Sequence, residues 1–288
     1  MTSIRPTQPF RIRLAQIGPR LGDVDTNLQM HLQAMQKAAS EQVDLLVFPE
    51  LSLTGYYLRD LTADVALPSD APELVQLAEA TSSLDTLLGY VEEDANFGIF
   101  TSALYLHQGQ RQHLHRKVYL PTYGMFDEGR YLSAGNSVRA FDTQFGRMGM
   151  LICEDIWHPM LPFLLAQQGM HYLVVTSNSP TRGPKPEGLH LQRVYYDMLA
   201  TYARLFQIYV IFCNRVGYED GVNFWGGSCV MNPDGEIIAQ APLLESAEVD
   251  AIIDPAEVRR ARVSAPLLQD ENLHLALNEL GRLVNERA

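Results

Sequence analysis

A mixed α/β fold, a sandwich of sheets and helices, is predicted by three features of this sequence. Short apolar runs with strand character alternate with amphipathic runs of helical period. Hydrophobic residues make up 47% of the 288, enough for a sizeable core. No stretch rich in Pro, Gly or Ser divides the chain, so one domain over 1–288 is expected. Alternation of this kind favours layers of sheet and helix over all-α or all-β architectures.

Taken in order, Phe10 to Ile17 reads as a first strand, with Ile12, Leu14 and Ile17 among polar neighbours. Leu28, Leu32, Met35 and Ala39 repeat at helical spacing, and Asp23 and Asp25 near their start complement the helix dipole. Val43 to Phe48 is a buried strand ended by Pro49, which cannot donate to a ladder. Pro72 to Ala80 is a second helix. Thr86 to Val91, Gly98 to His107 and Gln110 to Val118 are strands, the last two joined by a hairpin at Gln108-Gly109-Gln110. Met148 to Ile152 is short enough for a buried strand, and Pro159 suits the first turn of a helix through Leu161, Leu164 and Leu165. Met170 to Ser177 is a further strand. Leu191, Val194, Met198, Tyr202 and Leu205 mark one face of a long helix, with the strand Gln207 to Cys213 behind it. Trp225 to Met231 and Glu236 to Gln240 flank the turn Asn232-Pro233-Asp234-Gly235, and Val249 to Ile253 is the last strand. The segment 267–288 is charged and weakly helical, a tail expected to pack on the body or on a second subunit. The pattern is β-α-β repeated about twice, with hairpins inside each half.

A formal charge of −12 and a pI near 5.1 argue against nucleic acid or anionic lipid as partners, since both require a basic face. Three cysteines without regular spacing, behind no signal-like start, lead us to expect a reducing cytoplasm. No apolar run approaches a membrane span. No metal-ligand spacing occurs, so neither metal nor cofactor is expected.

The chemistry centres on Cys153, which would stand at a strand-to-helix corner. A thiol there lies near the positive end of a helix, which favours the reactive thiolate. A buried structural cysteine is the bland alternative, and it suffices for Cys213 and Cys229, each within an apolar strand. Glu50 directly follows an apolar strand, where α/β proteins often keep functional groups, although a turn-capping role is equally natural for a single Glu. Lys117 sits among apolar and aromatic residues, from which a lysine usually snorkels to water. His113 and His115 alternate before it and read as an exposed face. His158 reads as a first-turn helix residue.

Together, the contexts and order of these residues resemble the nitrilase superfamily of carbon–nitrogen hydrolases. The resemblance rests on Phe48-Pro49-Glu50, Arg116-Lys117-Val118-Tyr119-Leu120-Pro121 and Gly149-Met150-Leu151-Ile152-Cys153-Glu154, supported by Phe224-Trp225-Gly226-Gly227-Ser228 and Asn232-Pro233-Asp234-Gly235-Glu236. It covers roughly Ile12 to Ile253. It implies a four-layer α-β-β-α sandwich and a homodimer or larger homo-oligomer. By resemblance Cys153 is the nucleophile and Glu50 the general acid and base. Lys117 and the backbone N–H of Glu154 stabilise the oxyanion, and Glu128 takes the place of a second glutamate with a positioning or proton-relay role. Two carboxylates beside one lysine are expected to stay charged, and Lys117→Ala is expected to abolish turnover without unfolding the protein.

Within the superfamily, Leu120-Pro121-Thr122-Tyr123-Gly124-Met125-Phe126-Asp127-Glu128 and Cys153-Glu154-Asp155-Ile156-Trp157 are similar to the glutaminase domain of glutamine-dependent NAD synthetases. That likeness implies a substrate pocket of Tyr56, Tyr123, Glu154, Trp157, Ser179 and Lys185, with Glu154 on the α-ammonium and Lys185 on the α-carboxylate of glutamine. No Ser-Gly-Gly phosphate loop of a synthetase domain is present, so released ammonia is expected to go free or to a separate synthetase. A small-amide hydrolase is the expectation. Alternatives are a glutaminase subunit feeding a separate NAD synthetase, a nitrile or N-carbamoyl hydrolase, and a non-catalytic binding protein on the same fold.

Overall fold

The computed structural model describes residues 8–181 and 189–287. Its first half runs β1 (Phe10–Gln16), α1 (Val24–Ser40), β2 (Leu45–Val47), β3 (Leu67–Pro68), α2 (Pro72–Glu79), β4 (Asp85–Glu93), β5 (Ile99–His107), β6 (Gln110–Arg116) and the single turn α3 (Glu128–Tyr131). The second runs β7 (Phe141–Thr143), β8 (Gly146–Ile152), α4 (Met160–Gln167), β9 (Tyr172–Ser177), α5 (His190–Phe206), β10 (Tyr209–Asn214), β11 (Val216–Glu219), β12 (Val222–Trp225), β13 (Cys229–Met231), β14 (Ile237–Gln240), β15 (Ala247–Ile253), α6 (Pro255–Ser264) and α7 (Leu273–Arg287). Short 3-10 turns occupy Arg59–Thr62 and Cys153–Trp157.

One sheet has the order β15-β1-β2-β4-β5-β6, with β3 beside β4, and the other β14-β13-β10-β9-β8-β7. Each is built the same way. A parallel core, β1-β2-β4 or β8-β9-β10, is extended on both sides by antiparallel strands. Parallel neighbours need a crossover, and α1, α2, α4 and α5 supply it. Three apolar clusters define four layers. Ile12, Leu14, Val47 and Leu87 of the first sheet meet Met150, Val174 and Ile211 of the second. The outer face of the first sheet buries Leu46, Leu88 and Leu104 against Leu28, Met35, Leu74 and Leu77 of α1 and α2. The outer face of the second buries Leu173, Val175 and Val210 against Leu161, Leu165, Leu199 and Ala203 of α4 and α5. The fold is thus the expected α-β-β-α sandwich. Each fully buried Leu or Ile in these clusters contributes about 1.5–3 kcal/mol before conformational entropy is set against it.

Local signals worked where their physics is local. Asp23 accepts the Thr26 N–H at 3.1 Å and caps α1, while Gln108 and Gly109 both take positive φ in the β5–β6 hairpin, as a type I′ turn requires. The stretch expected as one strand from Trp225 to Met231 is broken, because Gly226 and Gly227 take positive φ between β12 and β13. In the tail, Leu268 packs against the second-sheet core, but α7 buries none of its residues on the body. No helix of the described residues is long and apolar enough to cross a membrane.

Candidate active site

The carboxyl ends of β2 and β8 and the end of β6 converge, and with them three residues far apart in sequence. Glu50 follows β2 across a segment that passes very close to β4. A Cβ on Gly89 of β4 would stand 2.4 Å from Leu51 N, so glycine is what lets Glu50 lie this deep. Lys117 follows β6. Its carbonyl accepts the Gly135 N–H at 2.7 Å, and a Cβ on Gly135 would come within 2.3 Å of Arg116 O.

Lys117 does not snorkel; it is 0% exposed, with Glu50 at 1% beside it. Its Nζ donates to Glu50 Oε1 at 2.8 Å and to Glu128 Oε1 at 2.7 Å. Burial alone would lower the lysine pKa, but the two carboxylates outweigh it and hold the ammonium charged. Glu50 Oε2 accepts the Asn178 N–H at 2.7 Å, and the Asn178 side chain returns a hydrogen bond to Glu50 O at 2.9 Å. Glu128 Oε1 also accepts from the Tyr56 hydroxyl at 2.6 Å.

The expectation that both glutamates stay charged needs correction. Burial, with Glu50 adding repulsion, raises the Glu128 carboxyl from 4.5 to about 7 against the pull of Lys117. Glu128 Oε2 has no hydrogen-bond partner, which a neutral carboxyl tolerates better than a charged one. Tyr56 and Glu128, together with Tyr57, Phe126, Tyr131 and Leu132, line a cavity of about 250 Å³. A carboxyl that binds its proton more tightly in the folded state gives stability that is complete below pH 4.5 and is lost as pH rises through about 7. Urea midpoints should therefore decline from pH 5 to pH 7.5 more steeply in the parent than in Glu128→Gln. Parallel curves would contradict this assignment.

Cys153 opens the 3-10 turn after β8 in the left-handed region, at φ 46. A non-glycine residue there stores about 1–3 kcal/mol of strain, which the surrounding contacts must hold. The helix dipole does not make it a resting thiolate, contrary to expectation. The next α-helix along the chain, α4, begins only at Met160, and burial, with Glu50 next in weight, pushes the thiol up to about 12 despite Lys117. Burial thus favours the protonated thiol over the thiolate.

Asp155, missed by the sequence reading, holds the corner. Fully buried, it accepts Val118 N–H and Tyr119 N–H on Oδ1 at 2.9 and 3.0 Å, and Ile152 N–H and His115 Nε2–H on Oδ2 at 3.1 and 2.9 Å. One carboxylate thus ties the chain after Lys117 to the chain before Cys153. His115 and His113 do not form an exposed face. His115 is 3% exposed, and His113 stacks on Phe141 at 4.1 Å, because that face of β6 turns towards the second sheet. His158 stacks on Tyr119 at 3.4 Å.

Of the expected pocket residues, Tyr56 binds Glu128, and the exposed Tyr123 donates its hydroxyl to the Glu154 carboxylate at 3.0 Å. Trp157 stands half-open, with its Nε1–H on the Tyr195 hydroxyl at 3.3 Å. Ser179 is buried, and its hydroxyl accepts from Trp225 Nε1 at 2.9 Å. Lys185 lies outside the described residues. The loop that carries Tyr56 is anchored from β11, where Glu219 Oε1 accepts the Tyr56 and Tyr57 N–H groups at 2.9 and 2.7 Å and Oε2 pairs with the buried Arg215.

Residues 11–263 match the family model described as carbon-nitrogen hydrolase. The chain belongs to that family. The hydrolase is 32% identical over 282 residues to a glutamine-dependent NAD(+) synthetase of Thermotoga maritima, covering 95% of this chain and 48% of the relative. It therefore spans about half the length of the curated relatives it matches. Among solved structures, a glutamine-dependent NAD+ synthetase from Acinetobacter baumannii superposes with a TM-score of 0.78 at 29% identity, over 87% of the hydrolase and 47% of that chain. An amidase from Nesterenkonia sp. superposes with a TM-score of 0.78 at 22% identity, over 96% and 98% of the two chains, a likeness of fold.

Proposed function

We propose that this hydrolase cleaves the C–N bond of a small amide, glutamine first among them, through a thioester on Cys153. The observation that carries the reading is the burial of the Lys117 ammonium between Glu50 and Glu128. A fully desolvated cation in a shared carboxylate site is costly as scaffolding alone and well suited to a developing oxyanion. Glu50 takes the thiol proton as the sulfur attacks the carbonyl carbon, and the resulting oxyanion forms against Lys117. Glu50 then hands the proton to the departing nitrogen, ammonia leaves, and Glu50 activates the water that opens the thioester. A neutral resting thiol fits this order, since the proton moves only as the S–C bond forms.

Glutamine is favoured by Glu154, whose carboxylate stands beside Tyr123 at the rim and suits an α-ammonium group. The NAD synthetase likeness supports the same choice. The test is ammonia release from a panel of glutamine, aliphatic amides, nitriles and N-carbamoyl compounds, read together with the intact mass of the protein. Ammonia from glutamine with a glutamyl-sized increment on Cys153 is expected. Turnover of a simple amide but not of glutamine would overturn the substrate assignment, and no ammonia with an unmodified Cys153 would overturn the reaction.

A further inference from the structure

Proton transfer to Glu50 leaves a negative sulfur in a site where burial opposes charge. Two side chains outside the glutamate–lysine cluster face that sulfur. Ser177, the last residue of β9, donates its hydroxyl to Cys153 Sγ at 3.3 Å. The Tyr195 hydroxyl, near the start of α5, lies 3.6 Å from the same atom. Both residues are buried, Ser177 at 0% and Tyr195 at 2% exposed.

Either the Tyr195 hydroxyl or the neutral Cys153 thiol can donate across this contact, but once the sulfur is charged only the hydroxyl can. Trp157 Nε1–H can only donate, and it occupies the phenol oxygen at 3.3 Å. The Tyr195 O–H proton is thereby left to turn towards Sγ. The ring is fixed by edge-on contacts with Trp157 and Trp225 and by a tilted contact with Phe212. Ser177 is placed by the parallel pairing of β8 with β9, in which Ile152 stands opposite Thr176, so the next residue on each strand brings hydroxyl to thiol. Neither donor can take up the thiol proton as a useful base, and both can hold a thiolate, because a hydrogen bond to a charged acceptor is roughly twice as strong as one between neutral groups.

We propose that Tyr195 and Ser177 are catalytic donors to Cys153 Sγ, holding the sulfur's charge when its proton leaves and again when the thioester breaks. This rests on the reading of Cys153 as the nucleophile. In the first step the S–H proton passes to Glu50, a sulfur electron pair forms the S–C bond, and the carbonyl pair moves to oxygen. In the last, water adds to the acyl carbon and gives a proton to Glu50. The S–C pair then returns to sulfur between its two donors, and Glu50 restores the thiol proton.

Alkylation of Cys153 by iodoacetamide, followed by intact mass as a function of pH, reads the thiolate without any amide substrate. Tyr195→Phe and Ser177→Ala should each slow alkylation about tenfold at pH 8, as expected for one lost charge-assisted hydrogen bond. Tyr202→Phe is the control for loosening of α5, since its hydroxyl binds Ile156 O at 3.2 Å in the same turn; it should alkylate at the parent rate. Parent rates in both Tyr195→Phe and Ser177→Ala, or equal slowing in Tyr202→Phe, would overturn the proposal. If Tyr195→Phe fails to fold, Ser177→Ala decides alone by the same criterion. A parent protein that forms no thioester with any amide and resists iodoacetamide at Cys153 would instead defeat the nucleophile reading, and this inference with it.

Discussion

Lys117→Met should abolish amide turnover and also lower stability, by about 3–5 kcal/mol, the scale for removing one partner of a buried charge cluster. Methionine keeps much of the volume of the lysine stem, so a cavity is not the cause. Glu50 and Glu128 would be left without the buried cation between them, Glu50 Oε1 deprived of its donor and Glu128 Oε1 keeping only the Tyr56 hydroxyl. At least one carboxyl must then take up a proton, and a protonated Glu50 no longer serves as a base. Loss of an oxyanion donor alone costs about 10²–10³ in kcat, and loss of the base multiplies that. The expectation from sequence that Lys117→Ala leaves the fold untouched is revised accordingly, since complete burial of the ammonium makes it structural as well as chemical. Ammonia release and urea unfolding measure the two effects separately. Adding Glu128→Gln to Lys117→Met removes one stranded carboxylate and should recover part of the stability while leaving the protein inactive. Near-parental turnover in Lys117→Met would remove the lysine from the mechanism. An unchanged urea midpoint would mean that the cluster carries no net charge to strand.

Asp155→Ala should be nearly as damaging, through geometry. Four donors, the part-buried N–H groups of Val118 and Tyr119 and the buried Ile152 N–H and His115 Nε2, lose their acceptor together, and each buried donor left unpaired costs about 1–3 kcal/mol. Some will find water in the space vacated, so a loss of about 4 kcal/mol or more is expected. Turnover should fall about 10²-fold even where the protein is folded, because the carboxylate is what holds the strained Cys153 corner in register with Lys117, and misplacement on the ångström scale has that effect. Asp155→Asn keeps one oxygen for Val118 and Tyr119 but sets an amide N–H₂ against Ile152 N–H and His115; it should fall between the two. A folded Asp155→Ala with parental kcat would show that the corner needs no such clasp.

The contrast between these residues shows what a linear reading can reach. Glu50, Lys117 and Cys153 were legible because each stands in a short motif whose context and order resemble the family, and a motif of a few residues is a local property of the chain. The hairpin at Gln108-Gly109 and the helix start near Asp23 were legible for the same reason. His113 and His115 were misplaced because period-two alternation separates two faces of a strand without saying which one another layer covers. Asp155 passed unnoticed because three of its four partners, 36 to 40 residues upstream, are adjacent only after folding. Tyr195 lay off the helix face that the apolar spacing marked, though the structure buries it with Leu199, Tyr202 and Phe206; Ser177 read as the end of a strand, and Gly89 as one glycine among 20, although the chain after Glu50 crosses it.

By itself the sequence determined the layered α/β architecture and the types of group the site uses: a thiol, a lysine and two carboxylates. Apolar period and turn chemistry act over a few residues, so they survive in a linear reading. Only the tertiary structure decided the state of those groups. Burial, acting against through-space charges contributed by separate segments, leaves the Cys153 thiol protonated, draws the Glu128 carboxyl to about 7 and holds Lys117 charged. Desolvation depends on what every other segment covers, and no stretch of the chain carries that information alone.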